Sequence, residues 1–212
     1  MLEIAIVAFT TFFATIAPLD GLAIFAALTH RKRPAVRRAM AIKGTSIATG
    51  LLLVFCVLGG NVLTWLGITL PAMRTAGGVM LFLIAIDMVF ARHSGGTSTT
   101  EDETEEAEGK DDISVFPLAT PLLAGPGAMG AAVLLYAKAN GDVMHEVAVV
   151  GALLAVMAIT LGLLLSAGAV QRVLGVTGMN VITRVVGILL AALAVQFIFD
   201  GIRGSGLLTG VS

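Results

Sequence analysis

Residues 4 to 28 form an apolar run in which Asp20 is the one ionisable side chain. Five further apolar runs follow at residues 44 to 65, 70 to 91, about 115 to 137, 147 to 168 and 185 to 202. A bilayer core roughly 30 Å thick is crossed by about 20 apolar residues in helical form. The pattern therefore predicts an all-α membrane protein with six transmembrane helices. Membrane strands would alternate apolar and polar positions over roughly ten residues, and these runs do not. The chain is 57% hydrophobic and 13% charged, with a mean hydropathy of +0.98, whereas soluble domains carry about 25% charged residues. Met1-Leu2-Glu3 supplies no basic segment ahead of the first run. That run is also too long for a signal-peptide core, so it is expected to be retained as a span.

Charge sets the expected orientation. The connection His30-Arg31-Lys32-Arg33-Pro34-Ala35-Val36-Arg37-Arg38, with Lys43 nearby, holds six of the thirteen Lys and Arg residues. Positive loops stay in the cytoplasm, which puts both termini of a six-span chain outside the inner (plasma) membrane. Eight of the fourteen acidic residues fall between Glu101 and Asp112, after a Ser-Gly-Gly-Thr-Ser-Thr-Thr stretch. Such composition lacks the apolar surface needed to fold. Residues 92–114 are therefore expected to be a disordered acidic cytoplasmic linker, joining a first three-helix half (1–91) to a second (115–212). Outside residues 101–112, twelve basic residues stand against six acidic ones. They lie in short loops and not on a basic face, so no nucleic-acid partner is expected.

The halves echo one another. Leu66-Gly67-Ile68-Thr69 returns as Leu174-Gly175-Val176-Thr177, and Pro18 returns as Pro126, both at an offset of 108. Arg74-Thr75-Ala76-Gly77 returns as Arg184-Val185-Val186-Gly187 two residues later. Copies containing an odd number of spans must lie upside down relative to each other. The expected architecture is thus two inverted three-helix repeats, as in many secondary transporters.

Two runs contain helix breakers deep inside them. Pro18 in span one removes a backbone donor and clashes with the carbonyl four residues back, and Gly21 eases the irregular backbone that follows. In span four, Thr120-Pro121-Leu122-Leu123-Ala124-Gly125-Pro126-Gly127 has two prolines and two glycines in eight residues. Broken helices in corresponding positions of two halves point to a substrate site, since half-helix amino ends attract a carboxylate and carboxyl ends attract a cation. A small zwitterion fits that pair of charges. The expected substrate-binding residues are Thr15, Pro18, Asp20, Gly21, Thr120, Pro121, Gly125, Pro126 and Gly127. Asp20 is a candidate for ion or ammonium coupling, because a charge at membrane depth costs roughly 3 kcal/mol; a helix cap is the plainer role for it. Arg74 and Arg184 are candidate gates, or else side chains reaching to lipid headgroups. Thr45, Ser46 and Thr49 suit either a polar path or helix packing.

Other chemistry finds little support. Gly125-Pro126-Gly127-Ala128-Met129-Gly130 fits G-x-G-x-x-G but follows no strand, and no G-x-x-x-x-G-K-[ST] motif occurs. His30, His93 and His145 flank different loops, and Cys56 stands alone. No metal, cofactor or enzymatic activity is expected.

Four stretches carry a resemblance to a known family: Pro18 to Thr29 (PLDGLAIFAALT), Leu66 to Asp87 (LGITLPAMRTAGGVMLFLIAID), Pro117 to Gly127 (PLATPLLAGPG) and Thr183 to Gly201 (TRVVGILLAALAVQFIFDG). In these the chain resembles the MarC, or SnatA-like, family of inner-membrane proteins over nearly its whole length. The resemblance implies transport of small neutral amino acids such as glycine and alanine; export is the expected direction, and proton or sodium coupling is expected through Asp20. That family usually has Asp or Asn immediately before the first proline, Gly two residues after it and a second Pro three further on; here Ala17, Asp20 and Ala23 stand in those places. The alternatives are a drug or small-solute exporter, a passive channel and a non-transporting membrane scaffold. The lipid bilayer and a small zwitterionic substrate are the expected partners, and a homo-oligomer is compatible with all of these readings.

Overall fold

In the computed structural model, residues 2–29, 32–90, 112–139 and 141–206 are described, and these contain no strand. Their order is α1 (Leu2–Ile16), α2 (Pro18–Thr29), α3 (Pro34–Trp65), α4 (Leu70–Phe90), a wide-turned segment α5 (Ser114–Leu123), α6 (Pro126–Ala139), α7 (Val143–Leu165) and α8 (Ala167–Gly204). Five stretches are long and apolar enough to cross a membrane: Leu2–Ala26, Pro34–Trp65, Leu70–Phe90, Val143–Leu165 and Asn180–Gly204. The pair α5–α6, bent by 56°, makes a sixth if counted as one span. Residues 91–111, most of the expected acidic linker, lie outside the described residues.

Two helices are longer than the apolar runs that announced them. α3 starts at Pro34 and not near residue 44, because proline suits the first helical position, where its missing N–H costs nothing. Its Arg37, Arg38 and Lys43 do not stop the helix, since Arg and Lys are good helix formers. At 1.5 Å per residue its 32 residues extend about 48 Å, well beyond a bilayer core. Likewise α8 runs on from Ala167, so the Leu174–Thr177 echo is helical, whereas Leu66–Thr69 makes the α3–α4 turn around Gly67 with φ +68°.

Glycines set how the helices meet. A Cβ built on Gly78 of α4 would lie 2.8 Å from the carbonyl oxygen of Ala194 and 2.7 Å from Ile198 on α8. In return, one on Gly187 of α8 would lie 2.8 Å from Met88 Cβ, and one on Gly201 would strike Thr75 and the carbonyl of Pro71. Ascending positions on α4 meet descending positions on α8, so the two run antiparallel in close backbone contact. By the same logic Gly44 of α3 faces Leu118 and the Ser114 carbonyl, while Gly59 faces Val133, so α3 runs parallel to α5–α6. Close approach of this kind is what associates helices in lipid, where water supplies no drive between them. The interior is filled by Phe12, Phe25, Leu52, Leu118, Leu134 and Leu153, whereas Leu83, Phe90, Ile188 and Leu189 point outward, as lipid-facing side chains do.

At the entry to α5, Asp112 bonds Lys43 Nζ of α3 at 2.7 Å, the amide of Ser114 at 2.9 Å and the Ser114 hydroxyl. The Lys43 bond, then those of Ser114, lower the Asp112 carboxyl from its ordinary range to about 2. A lowered carboxyl stabilises the fold above its unfolded pKa, near 4, and loses that contribution as pH falls through about 2. Lys43 and Asp112 are each about half exposed, so salt screens the bond.

Two outcomes are expected. Gly78→Ala should lower stability by about 1–3 kcal/mol through overpacking, while Gly50→Ala, in open space, should not; a thiol-reactive fluorophore following exposure of buried Cys56 on heating reads both. Asp112→Asn should be less stable than the native chain at pH 6, with the two thermal midpoints converging towards pH 2.

Candidate functional site at the helix breaks

Span one divides at Ala17, whose φ of 46° is the one left-handed non-glycine backbone among the described residues. Its N–H closes α1 on the Phe13 carbonyl at 3.2 Å. Its own carbonyl opens α2, accepting from the amides of Asp20 and Gly21, both at 3.1 Å. Pro18 takes the first position of α2, where it disturbs nothing. One residue thus ends one helix and starts the next, and α1 and α2 remain a single 25-residue span. Because the Gly21 amide is committed to Ala17, it is not among the free backbone donors expected there.

Span four breaks more severely. In α5 the Leu118 amide reaches the Ile113 carbonyl at 3.1 Å and the Ala124 amide reaches that of Ala119 at 2.8 Å, both turns of five residues. Pro117 and Pro121 lie inside it, and Phe116 and Thr120 are extended. The bonds after Phe116 and Thr120 are cis. Pro126 then starts α6, and the Met129 amide reaches the Gly125 carbonyl at 3.0 Å. So Pro18 and Pro126, the pair found 108 residues apart, occupy the same position at the head of a half-helix.

The fold brings the two breaks together. A Cβ built on Gly21 would lie 3.5 Å from Leu123 and 3.9 Å from Leu122, ordinary van der Waals contact. Beside this contact Asp20, partly buried, accepts a hydrogen bond from the Thr183 hydroxyl of α8 at 3.1 Å. Phe13, Ala17, Pro18, Leu19, Met88, Thr183 and Val186 line a crevice of only about 10 Å³ there. Two of the expected threonines bond the backbone of their own segments. Thr15 is buried and donates to the Thr11 carbonyl at 2.9 Å, and Thr120 donates to that of Val115 at 3.3 Å. Thr49 donates to the Thr45 carbonyl at 2.8 Å, while the Thr45 hydroxyl is buried without a partner among the described residues.

The two arginines stand apart from each other. Arg74 lies near the start of α4, level with Gly201, with its Nε buried and unpartnered among the described residues. Arg184 is exposed near the opposite end of the antiparallel pair, next to Thr183. Thr183 is the site residue that sequence reasoning overlooked. Its one signal was its place beside the repeated Arg-x-x-Gly, and nothing in a linear chain links it to a carboxylate 163 residues away.

The arrangement is that of a polytopic helical membrane protein whose two interrupted spans meet in its interior. The MarC family integral membrane protein profile matches residues 2–205, and the chain belongs to that family. It is 38% identical to a UPF0056 membrane protein of Archaeoglobus fulgidus, covering 92% of this chain and 90% of the relative. It is 36% identical to the UPF0056 membrane protein YvbG of Bacillus subtilis, with 92% of each covered. Identity is 34% to the UPF0056 inner membrane protein YhgN of Escherichia coli, over 88% of this chain and 89% of the relative. No solved structure matches the chain.

The left-handed Ala17 makes a prediction. An L-residue pays roughly 1–2 kcal/mol in that region, and glycine's extra chain entropy returns about 0.5–1 kcal/mol. Ala17→Gly should therefore stabilise by about 0.5–1 kcal/mol, seen as a thermal midpoint raised by about 2 °C; a lowered midpoint would refute the strain.

Proposed function

We propose that the chain is a secondary transporter of small neutral amino acids of the glycine and alanine type, in the inner membrane, with export its net direction. The carrying observation is the contact of Gly21 with Leu122 and Leu123, which sets the two helix breaks side by side with Asp20 at their edge. Interrupted helices meeting at membrane depth are how many transporters surround a zwitterion with backbone groups of both signs. On this reading Thr15, Pro18, Asp20, Gly21, Thr120, Pro121, Gly125, Pro126 and Gly127 surround the substrate. Asp20 carries the coupling ion or meets the substrate ammonium, and Arg74 and Arg184 close opposite ends.

The halves are read as inverted repeats, with both termini outside. Helix pairing supports this reading: exchanging α1, α2, α3 and α4 for α5, α6, α7 and α8 turns α1·α7 into α3·α5, α3·α6 into α2·α7 and α2·α8 into α4·α6, all of them packed pairs. Thr183 suits a site that exchanges protons. A hydroxyl both donates and accepts, so its bond to Asp20 survives protonation of the carboxylate. The crevice of 10 Å³ beside the first break is too small for an amino acid, so transport requires the helices around it to part.

The test is uptake of labelled glycine and alanine into liposomes carrying the purified protein, with and without proton and sodium gradients. Saturable uptake driven by one gradient is expected, and Asp20→Asn should cut that gradient's effect at least tenfold while exchange persists. Flux that never saturates would replace the carrier by a channel. No flux of either solute would overturn the substrate assignment, and altered antibiotic tolerance on deletion would then favour a drug exporter.

A further inference from the structure

A second polar cavity lies away from the breaks, at the end of the bundle where the α3–α4 and α6–α7 turns come together. Its volume is about 380 Å³, room for a small organic solute. Val57, Leu63, Ile68 and Leu70 form an apolar wall, and Asn61, Thr64, Tyr136 and Glu146 supply the polar groups. The Tyr136 hydroxyl donates to Glu146 Oε2 at 3.0 Å, which aims the carboxylate and leaves Oε1 with no partner among the described residues. The Thr64 hydroxyl donates to the Gly60 carbonyl at 3.1 Å, so its oxygen is open to a donor.

The electrostatics favour one sign. No Lys, Arg or His is among the described residues that line the cavity. The basic side chains nearest along the chain are engaged elsewhere: the His145 ring lies 3.2 Å from the Asp142 carboxylate, and Lys138 pairs with Asp200 at 3.5 Å while lying over the Phe197 ring. α3 and α6 both end here, and helix carboxyl ends attract cations. The amino ends of α7 and α4 oppose them weakly, because both are capped. Asp142 accepts from the amides of Met144 and His145, and Thr69 accepts from that of Ala72.

We infer that this cavity is a binding site for a small organic ammonium compound, with the ammonium on Glu146 Oε1 and the Thr64 oxygen and the carbon body against Leu63, Ile68 and Leu70. The site is separate from the helix breaks, and binding to the purified protein requires no flux, so the proposal stands or falls apart from the transport reading.

The chain offers its own reporter and its own plug. Trp65, the only tryptophan, follows the lining residues Leu63 and Thr64. Gly60 lines the cavity, and a Cβ built on it meets nothing within 4 Å, so a side chain added there starts in open space. Detergent-purified full-length protein is titrated with alaninamide, alanine, propionamide and propionate, which share a three-carbon body and differ in charge. Binding is followed by Trp65 emission and by calorimetry. In the binding that Gly60→Leu removes, alaninamide should saturate, alanine should be at least several-fold weaker, and propionamide and propionate should not be measurable. Glu146→Gln should weaken alaninamide about tenfold, and Gly60→Leu should abolish its binding, each with a near-native thermal midpoint. The inference is overturned if calorimetry shows no saturable alaninamide binding, if propionate or propionamide binds as well as alaninamide, if alanine binds as tightly and Gly60→Leu removes that binding, or if alaninamide binding survives both substitutions unchanged. Should one variant fail to fold, the other and the ligand series decide.

Discussion

Lipid offers a backbone amide nothing to bond, so each interruption of a spanning helix must be satisfied by protein, and this constraint organises the molecule. At Ala17 the solution is local. A single left-handed residue donates the last bond of α1 and accepts the first bonds of α2, so the span loses a proline's hydrogen bond and little else. At α5 it is more extensive. The carbonyls of Ile113 and Ala119 reach donors five residues on, the segment turns by 56° into α6, and α3 lies against it through Gly44. The more irregular backbone is the one with the closer neighbour, as expected where lipid must be kept away from polar groups.

Most of the fold was legible because the signals were local and strong. Apolar runs mark helices wherever a bilayer must be crossed, and Pro18 and Pro126 mark breaks because proline cannot sit in a helix interior without loss. The boundaries were less legible. Charge ended the expected spans near Lys43 and Arg184, but charge ends an apolar run and not a helix, and α3 and α8 both continue past it. The repeated Leu-Gly-x-Thr shows the same limit. Gly67 is free to take φ +68° in a turn, yet Gly175, in the matching place, lies within α8, because a glycine permits a turn without imposing one.

The candidate site was legible in part for the same reason. Its breakers could be read along the chain; its partners could not. Thr183 reaches Asp20, and Leu122 and Leu123 reach Gly21, only through the antiparallel packing of α4 with α8 and the placement of α5 against α2, which tertiary glycine contacts decide. Ala17 lay hidden because alanine ordinarily signals helix. Its left-handed backbone is a conformation that Asp and Asn adopt more readily than alanine does, and those are the residues the family usually carries there. The Glu146 cavity gave no linear signal, since its polar residues come from three helices, each contributing one or two.

The character of the contacts indicates where the bundle is able to open. Between α4 and α8 a single Cβ added at Gly78, Gly187 or Gly201 would collide with backbone or side chain within 3 Å, so sliding or parting those helices disrupts tightly fitted surfaces. Between the two breaks, a Cβ added at Gly21 would meet only leucine side-chain carbons, at 3.5 and 3.9 Å, and would fit without displacing them. The glycine leaves that space unfilled, dispersion pairs are worth only about 0.1–0.2 kcal/mol each, and leucine side chains reorient at small cost. Separating α2 from α5 therefore requires much less than separating α4 from α8. If solute passes through this molecule, the α4–α8 pair is the rigid frame and the meeting point of the breaks is the part that moves.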